Sequence, residues 1–168
     1  MTVDTKTAPK RDLSFRSLDD VAADLDRIEA AAQAGTLSTT GNWTPAENLD
    51  HTSRFMEMSM DGFPEGKPPL VMRAIVGLFK GMILKQAMGG KPSPAGIKLP
   101  KGAEYLMPRA DATLEEGVAR VRAIIGRVKS GEEFSQASPL FGKLTHEQWV
   151  GIHCGHCAMH WSFLQPGA

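Results

Sequence analysis

The stretch His153 to His160, "HCGHCAMH", packs three histidines and two cysteines into one short segment. Two chemistries fit these letters. Cys154 and Cys157 have the Cys-x-x-Cys spacing of a thiol–disulfide site, whose reactivity depends on a lowered thiol pKa. His156 and His160 stand at i and i+4, so on a helix their rings project together from adjacent turns. Two such imidazoles can hold one divalent ion at about 2.0–2.1 Å each, with a third ligand supplied from elsewhere.

Position separates the two readings. Reactive Cys-x-x-Cys pairs sit at a helix N-terminus, where the dipole and free N–H groups stabilise the thiolate, and they normally follow a strand. Here the pair begins well inside a helix that starts at Thr145, and no strand pattern precedes it. Both cysteines are therefore read as small core residues. Projected at about 100° per residue, Trp149, His153, His156, His160 and Phe163 share one stripe, flanked by Ile152 and Leu164. A buried imidazole needs partners for both ring nitrogens, so a histidine seam facing inward points to metal ligation.

Two histidines remain outside this segment. His146 falls in the first turn of the last helix and is expected to be exposed. His51 falls inside the second helix, where it can face His156 and His160. The candidate metal set is His51, His156 and His160, with zinc or nickel the expected ion. His153 and Cys157 are candidates for a fourth ligand or for support behind the ligands. An open fourth position suits metal-dependent hydrolysis or transfer of a thiol, whereas four protein ligands make a closed structural site. A non-catalytic, metal-stabilised interaction module is the alternative. Glu47, Asp50 and Glu57 are the acids near His51; Glu47 is expected to serve a helix cap, the other two a solvated face.

The elements that must position these residues read as helices. Ser17 caps a first helix with Leu18, Val21, Leu25 and Ile28 at helical spacing, stopped by Gly35. Thr44, Pro45 and Glu47 open a second with a capping box. Residues 70–88 form a third, strongly apolar helix. Residues 89–110 are rich in Pro and Gly and are expected to be a long loop or lid, with Tyr105 lining a pocket. Thr113 and Glu116 form a capping box for a fourth helix, ended by Gly131. Thr145 and Gln148 cap the last, which is expected to run to Pro166 and Gly167. No strand pattern appears. Residues 1–14 are expected to be a disordered or extended tail, and residues 15–168 a single all-α domain.

The segments "NWTPAENLDHTSRFMEMSMDGFP", "AGIKLP" and "GHCAMHWSFL" resemble the DinB/YfiT-like metalloenzyme superfamily, and within it an uncharacterised branch known only as a domain of unknown function. The resemblance covers nearly all of the chain after the tail. It implies a four-helix bundle, here with an inserted apolar helix and a long Pro/Gly-rich loop. It also implies that His51, His156 and His160 bind one divalent metal. Characterised members act with low-molecular-weight thiols. Many carry Arg-Gly-Gln after the last histidine, where this chain has Trp161, Ser162 and Phe163.

Bulk properties narrow the partners. The chain has 168 residues, 42% hydrophobic and 23% charged, with a formal net charge of zero. Zero net charge argues against nucleic acid. No run reaches the roughly 20 apolar residues of a membrane span, and the N-terminus has no apolar signal region. A cytoplasmic protein acting on a small molecule is expected. The helix at 70–88 offers a face for a homodimer, a lid or, with its flanking Lys67, Arg73, Lys80, Lys85 and Lys91, a membrane surface.

Overall fold

The computed structural model describes residues 2–64, 70–96 and 104–167, with the backbone alone over 70–76. Lys67 and the motif residues 97–100 lie outside the described residues, as does the side chain of Arg73. Among the described residues five helices carry the fold: α1 (Leu18–Gln33), α2 (Pro45–Asp61), α3 (Leu70–Met88), α4 (Leu114–Lys129) and α5 (His146–Trp161). A 3₁₀ turn covers Glu104–Leu106. The protein is mostly helical, in agreement with the all-α expectation.

The starts of the helices follow their caps. Ser17, Thr44 and Thr145 each accept from the third helical N–H, while Asp20, Glu47 and Gln148 reach back to the cap N–H. The box expected at α4 is only half made. Thr113 accepts from the Glu116 N–H, but the Glu116 carboxylate turns to Arg109 instead, at 2.5 Å.

Apolar spacing then decides the packing. Val21, Leu25 and Ile28 of α1 and Val121 and Ile124 of α4 are fully buried or nearly so. Helix α1 packs on α4 and α5, and α2 also packs on α4 and α5, so these four helices close a cycle around one core. Helix α3 packs on the outside of α5. Enclosed by α1, α2 and α3, α5 is buried over most of its length.

Two contacts depend on glycine. At Gly117 a Cβ would lie 2.6 Å from Leu49 Cβ, so α4 and α2 approach as closely as they do only because the side chain is missing. At Gly155 a Cβ would lie 2.8 Å from the Lys91 carbonyl. There the chain after α3 lies directly on α5, and the Ser93 N–H donates to the Gly155 carbonyl at 2.9 Å.

The C-terminus departs from the sequence reading. Helix α5 ends at Trp161, not Pro166, and a short strand follows, β2 (Leu164–Pro166). It pairs antiparallel with β1 (Leu37–Thr39) in the register Leu37↔Pro166 and Thr39↔Leu164. Strands this short carry no periodic signal; pairing arises because the α1–α2 connection and the chain end are brought side by side. Leu164 is fully buried by it.

The segment before α1 is tied down by polar contacts. Arg11 makes a two-pronged bond to the buried Asp24, both contacts at 2.8 Å, and a third to the Trp161 carbonyl. Asn42 donates to the Val3 carbonyl and accepts from its N–H.

Gly117 and Gly126 lie on the same helix with opposite surroundings, since nothing approaches a Cβ at Gly126. Gly126→Ala is expected to stabilise by roughly 0.5–1 kcal/mol from helix propensity alone. Gly117→Ala is expected to destabilise, because overpacking of about 1–3 kcal/mol exceeds the same gain. Urea unfolding of both variants checks the opposite signs.

Candidate metal centre

His51 comes from α2, and His156 and His160 come from adjacent turns of α5. One ring nitrogen from each lies within 4.8 Å of the others. Ring centroids are 4.9 Å apart for His51 and His156, 4.5 Å for His51 and His160, and 4.6 Å for His156 and His160. The Nε2 atoms of His51 and His156 are 3.1 Å apart. Two nitrogens bound to one ion at about 2.0–2.1 Å, at angles of roughly 90–110°, stand about 3 Å apart. The His51–His156 pair has that spacing, and the three rings lie together as the sequence reading required of them.

The tautomer of His51 follows from its outer contact. Its Nδ1 bonds the backbone carbonyl of Leu106. A carbonyl only accepts, so Nδ1 carries the proton and the Nε2 lone pair points inward. Burial pushes the pKa of all three rings below the ordinary histidine value, for His156 and His160 well below. The three imidazoles are neutral at pH 7, the state in which they can ligate. Trp43, just before the α2 cap, lies parallel to His160 at 5.1 Å and leans on His51 at 4.8 Å.

The carbonyl that orients His51 is itself held from α2. Arg54 donates to the carbonyls of Tyr105, at 2.9 Å, and Met107, at 3.0 Å. Three consecutive carbonyls, 105 to 107, are thus taken by His51 and Arg54, one helical turn apart. Asp50 fixes the next part of the segment by accepting from the Arg109 N–H at 2.9 Å and from Arg109 Nε at 3.0 Å. It also pairs with Arg54 and Arg120. The expectation that Asp50 lies on a solvated face is corrected: its side chain is 1% exposed. Burial by itself would raise its pKa, but the Arg109 N–H and guanidinium hold it below the ordinary carboxylate value. The i, i+4 spacing of Asp50 and Arg54 was a legible signal. Arg109, 59 residues away, gave none.

The other named residues fall outside the cluster. His153 Nε2 bonds the Ser59 hydroxyl at 2.7 Å, and its ring stacks on Trp149. Cys157 is buried, with Thr52 and Asp24 near it. Neither joins the set of converging ligand atoms. Glu47 serves the α2 cap as expected, and Glu57 pairs with Arg120. His146 is half-buried, and its Nδ1 accepts from the Phe134 N–H.

A cavity of about 660 Å³ opens above the three rings. Its walls include Phe55, Leu106, Leu140, Phe141, Met159 and Phe163. Thr5 from the N-terminal segment and Ser93 to Gly96 from the loop after α3 also line it. Glu104 and Met107 line it as well, whereas Tyr105, expected there, does not. The Tyr105 contribution is its backbone carbonyl.

The family model described as "Protein of unknown function (DUF1569)" matches residues 7–167. The chain belongs to the DUF1569 family. No curated protein and no solved structure matches it.

In this DUF1569 protein Cys154 and Cys157 are free and buried. Burial raises the Cys154 thiol to about 12 and the Cys157 thiol well above its ordinary value. Thiols so shifted hold their protons at pH 7, the opposite of what disulfide exchange requires.

Two measurements probe these buried groups. Asp50→Ala leaves Arg109 and Arg120 without their shared acceptor and is expected to cost on the order of 3 kcal/mol. It should also speed amide exchange over residues 104–109. His153 is depressed by burial from an ordinary 6.5 to about 3. Its folded pKa lies below the unfolded one, so stability is full above pH about 6.5 and declines as pH falls toward 3. In His153→Phe the Ser59 hydroxyl keeps its bond to the Met56 carbonyl. That variant is expected to show a flatter loss of stability between pH 7 and 4 in urea titrations.

Proposed function

We propose that this DUF1569 protein is a divalent-metal protein of DinB-like type, with His51, His156 and His160 as ligands and zinc or nickel as the ion. The helices α1, α2, α4 and α5 make the four-helix bundle of that reading, and α3 is its inserted helix. The observation that carries it is convergence: three neutral imidazoles from two helices bring one ring nitrogen each to within 4.8 Å of one another. A packing role does not require that the His51 lone pair face two other rings across a buried gap.

The donor set fits the group. Three imidazoles are a standard set for a first-row divalent ion and leave a position open. His51 has its outer N–H on a backbone carbonyl, the arrangement that fixes the orientation of metal-ligating histidines. When bound, the ion supplies Lewis acidity toward a heteroatom at its open position. The chain does the rest. Trp43 and Phe55 wall the ligand rings, and the 105–107 carbonyls hold His51 in place. His153, bonded to Ser59, braces α5 against α2 behind them.

With the ion open to a cavity, a small-molecule transferase or hydrolase is the favoured activity. Thiol transfer is the form of it that DinB-like proteins suggest. The free thiols accord with a reducing compartment such as the cytoplasm. Among the described residues no helix is long and apolar enough to cross a membrane. One observation favours the alternative of a metal-stabilised interaction module. On α3, Leu78 is 83% exposed and Phe79 and Met82 project beside it, a face able to meet a second copy.

Metal analysis of the purified protein decides the central point. About one equivalent of zinc or nickel is expected, lost in both His51→Ala and His156→Ala and kept in His153→Phe. Full metal content in His51→Ala would remove the reading, because the α2 ligand is what defines the site.

A further inference from the structure

The segment before α1 reaches the cavity. Thr5 lines it, Val3 is bonded to the lining residue Asn42, and Thr5 and Lys6 lie beside the lining residue Gly96. We propose that residues 2–8 are a lid on this cavity, hinged at residues 9–11 and latched by Asn42, and that a ligand enters when the latch opens. The inference concerns access and holds whether or not an ion sits among the three rings.

The two ends of the segment are held very differently. At the hinge, Arg11 keeps its two-pronged bond to buried Asp24, and its backbone N–H donates to the Ser162 carbonyl at 2.8 Å. The Thr40 hydroxyl donates to the Pro9 carbonyl at 2.6 Å. Lys10 Nζ stands 5.5 Å from the centre of the Phe163 ring, itself part of the cavity wall. Pulling Arg11 away would strand a buried carboxylate, so this end stays in place.

The latch is of another kind. The Asn42 amide accepts from the Val3 N–H at 2.6 Å and donates to the Val3 carbonyl at 2.9 Å, and both bonds are exposed to solvent. Water replaces such bonds when they break, so each favours the closed form by only about five-fold.

Between latch and hinge the chain is a preformed unit. The Asp4 carbonyl accepts from the N–H groups of Thr7 and Ala8 at 3.1 and 3.0 Å, and the Asp4 carboxylate accepts from the Lys6 N–H at 3.0 Å. These bonds are local, so the turn can swing as one piece without losing them. Asn42 also precedes Trp43, which packs on His51 and His160, so the latch adjoins the wall that an incoming ligand meets.

Two rates measured on the full chain test the lid. Trypsin cleavage after Lys6 reads release of the segment. Alkylation of Met159→Cys by monobromobimane reads access to the cavity wall. Alkylation of the native Cys154 and Cys157, fully buried in the core, reads global unfolding in the chain without that substitution. Val3→Pro removes one latch donor and leaves the cavity wall untouched; both rates are expected to rise about five-fold. Asn42→Ala removes both latch bonds and should raise cleavage about thirty-fold. The core cysteines should react no faster in either variant.

Four results overturn the proposal. The cavity thiol reacts in the intact chain as fast as in urea-unfolded protein. Cleavage rises in Val3→Pro while the cavity thiol does not respond, which makes the segment a bystander. Neither rate moves in Val3→Pro. The core cysteines accelerate by the same factor, which makes the effect global. Leu140→Cys, at another part of the wall, replaces the reporter if Met159→Cys does not fold.

Discussion

The bond from His51 Nδ1 to the Leu106 carbonyl is the interaction on which the site turns. It assigns the proton on a buried ring, aims the opposite lone pair at His156 and His160, and ties α2 to the segment that walls the cavity. A buried imidazole without such a partner would be free to flip or to take the other tautomer, and either change would carry the donor atom away from its neighbours. The carbonyl is dependable because its flanking carbonyls are gripped by Arg54 and the next residues by Asp50. One turn of α2 thus supplies both a ring and the clamps that orient it.

Packing on α5 serves the same end. The helix is covered by α1, α2 and α3, so its histidines and cysteines share one low-dielectric environment. Burial acts on the two residue types in opposite senses. It keeps imidazoles neutral and ready to ligate, and it keeps thiols protonated and inert. The same enclosure that suits His156 and His160 to a cation removes the redox chemistry that the Cys-x-x-Cys letters suggested. Gly151 and Gly155 contribute by letting α3 and the chain after it lie against α5 backbone to backbone, which brings residues 93–96 to the cavity rim.

The cavity is assembled from parts distant in sequence. Thr5, Trp43, Phe55, Leu106, Phe141 and Phe163 come from parts of the chain far apart in sequence, and polar contacts hold the irregular ones in place. Asn42 holds the N-terminal strand of chain at Val3, and Lys80 holds the 141–143 turn. Such pinning lets irregular chain form an ordered wall without secondary structure of its own.

The sequence by itself determined the helices, their caps and the three histidines. Capping boxes at Ser17, Thr44 and Thr145, and apolar spacings of three and four, are local signals that follow from helix geometry. The i, i+4 relation of His156 and His160 was likewise local, and the expectation of a domain of unknown function agrees with membership in the DUF1569 family. Tertiary structure alone decided the remainder. The β1–β2 pairing, the diversion of Glu116 from its cap to Arg109, and the burial of Asp50 each depend on a partner far along the chain. Whether His153 and Cys157 faced the cluster was also beyond the sequence. A helical projection gives a residue its angle about one axis, and only the neighbouring helices decide what stands opposite it.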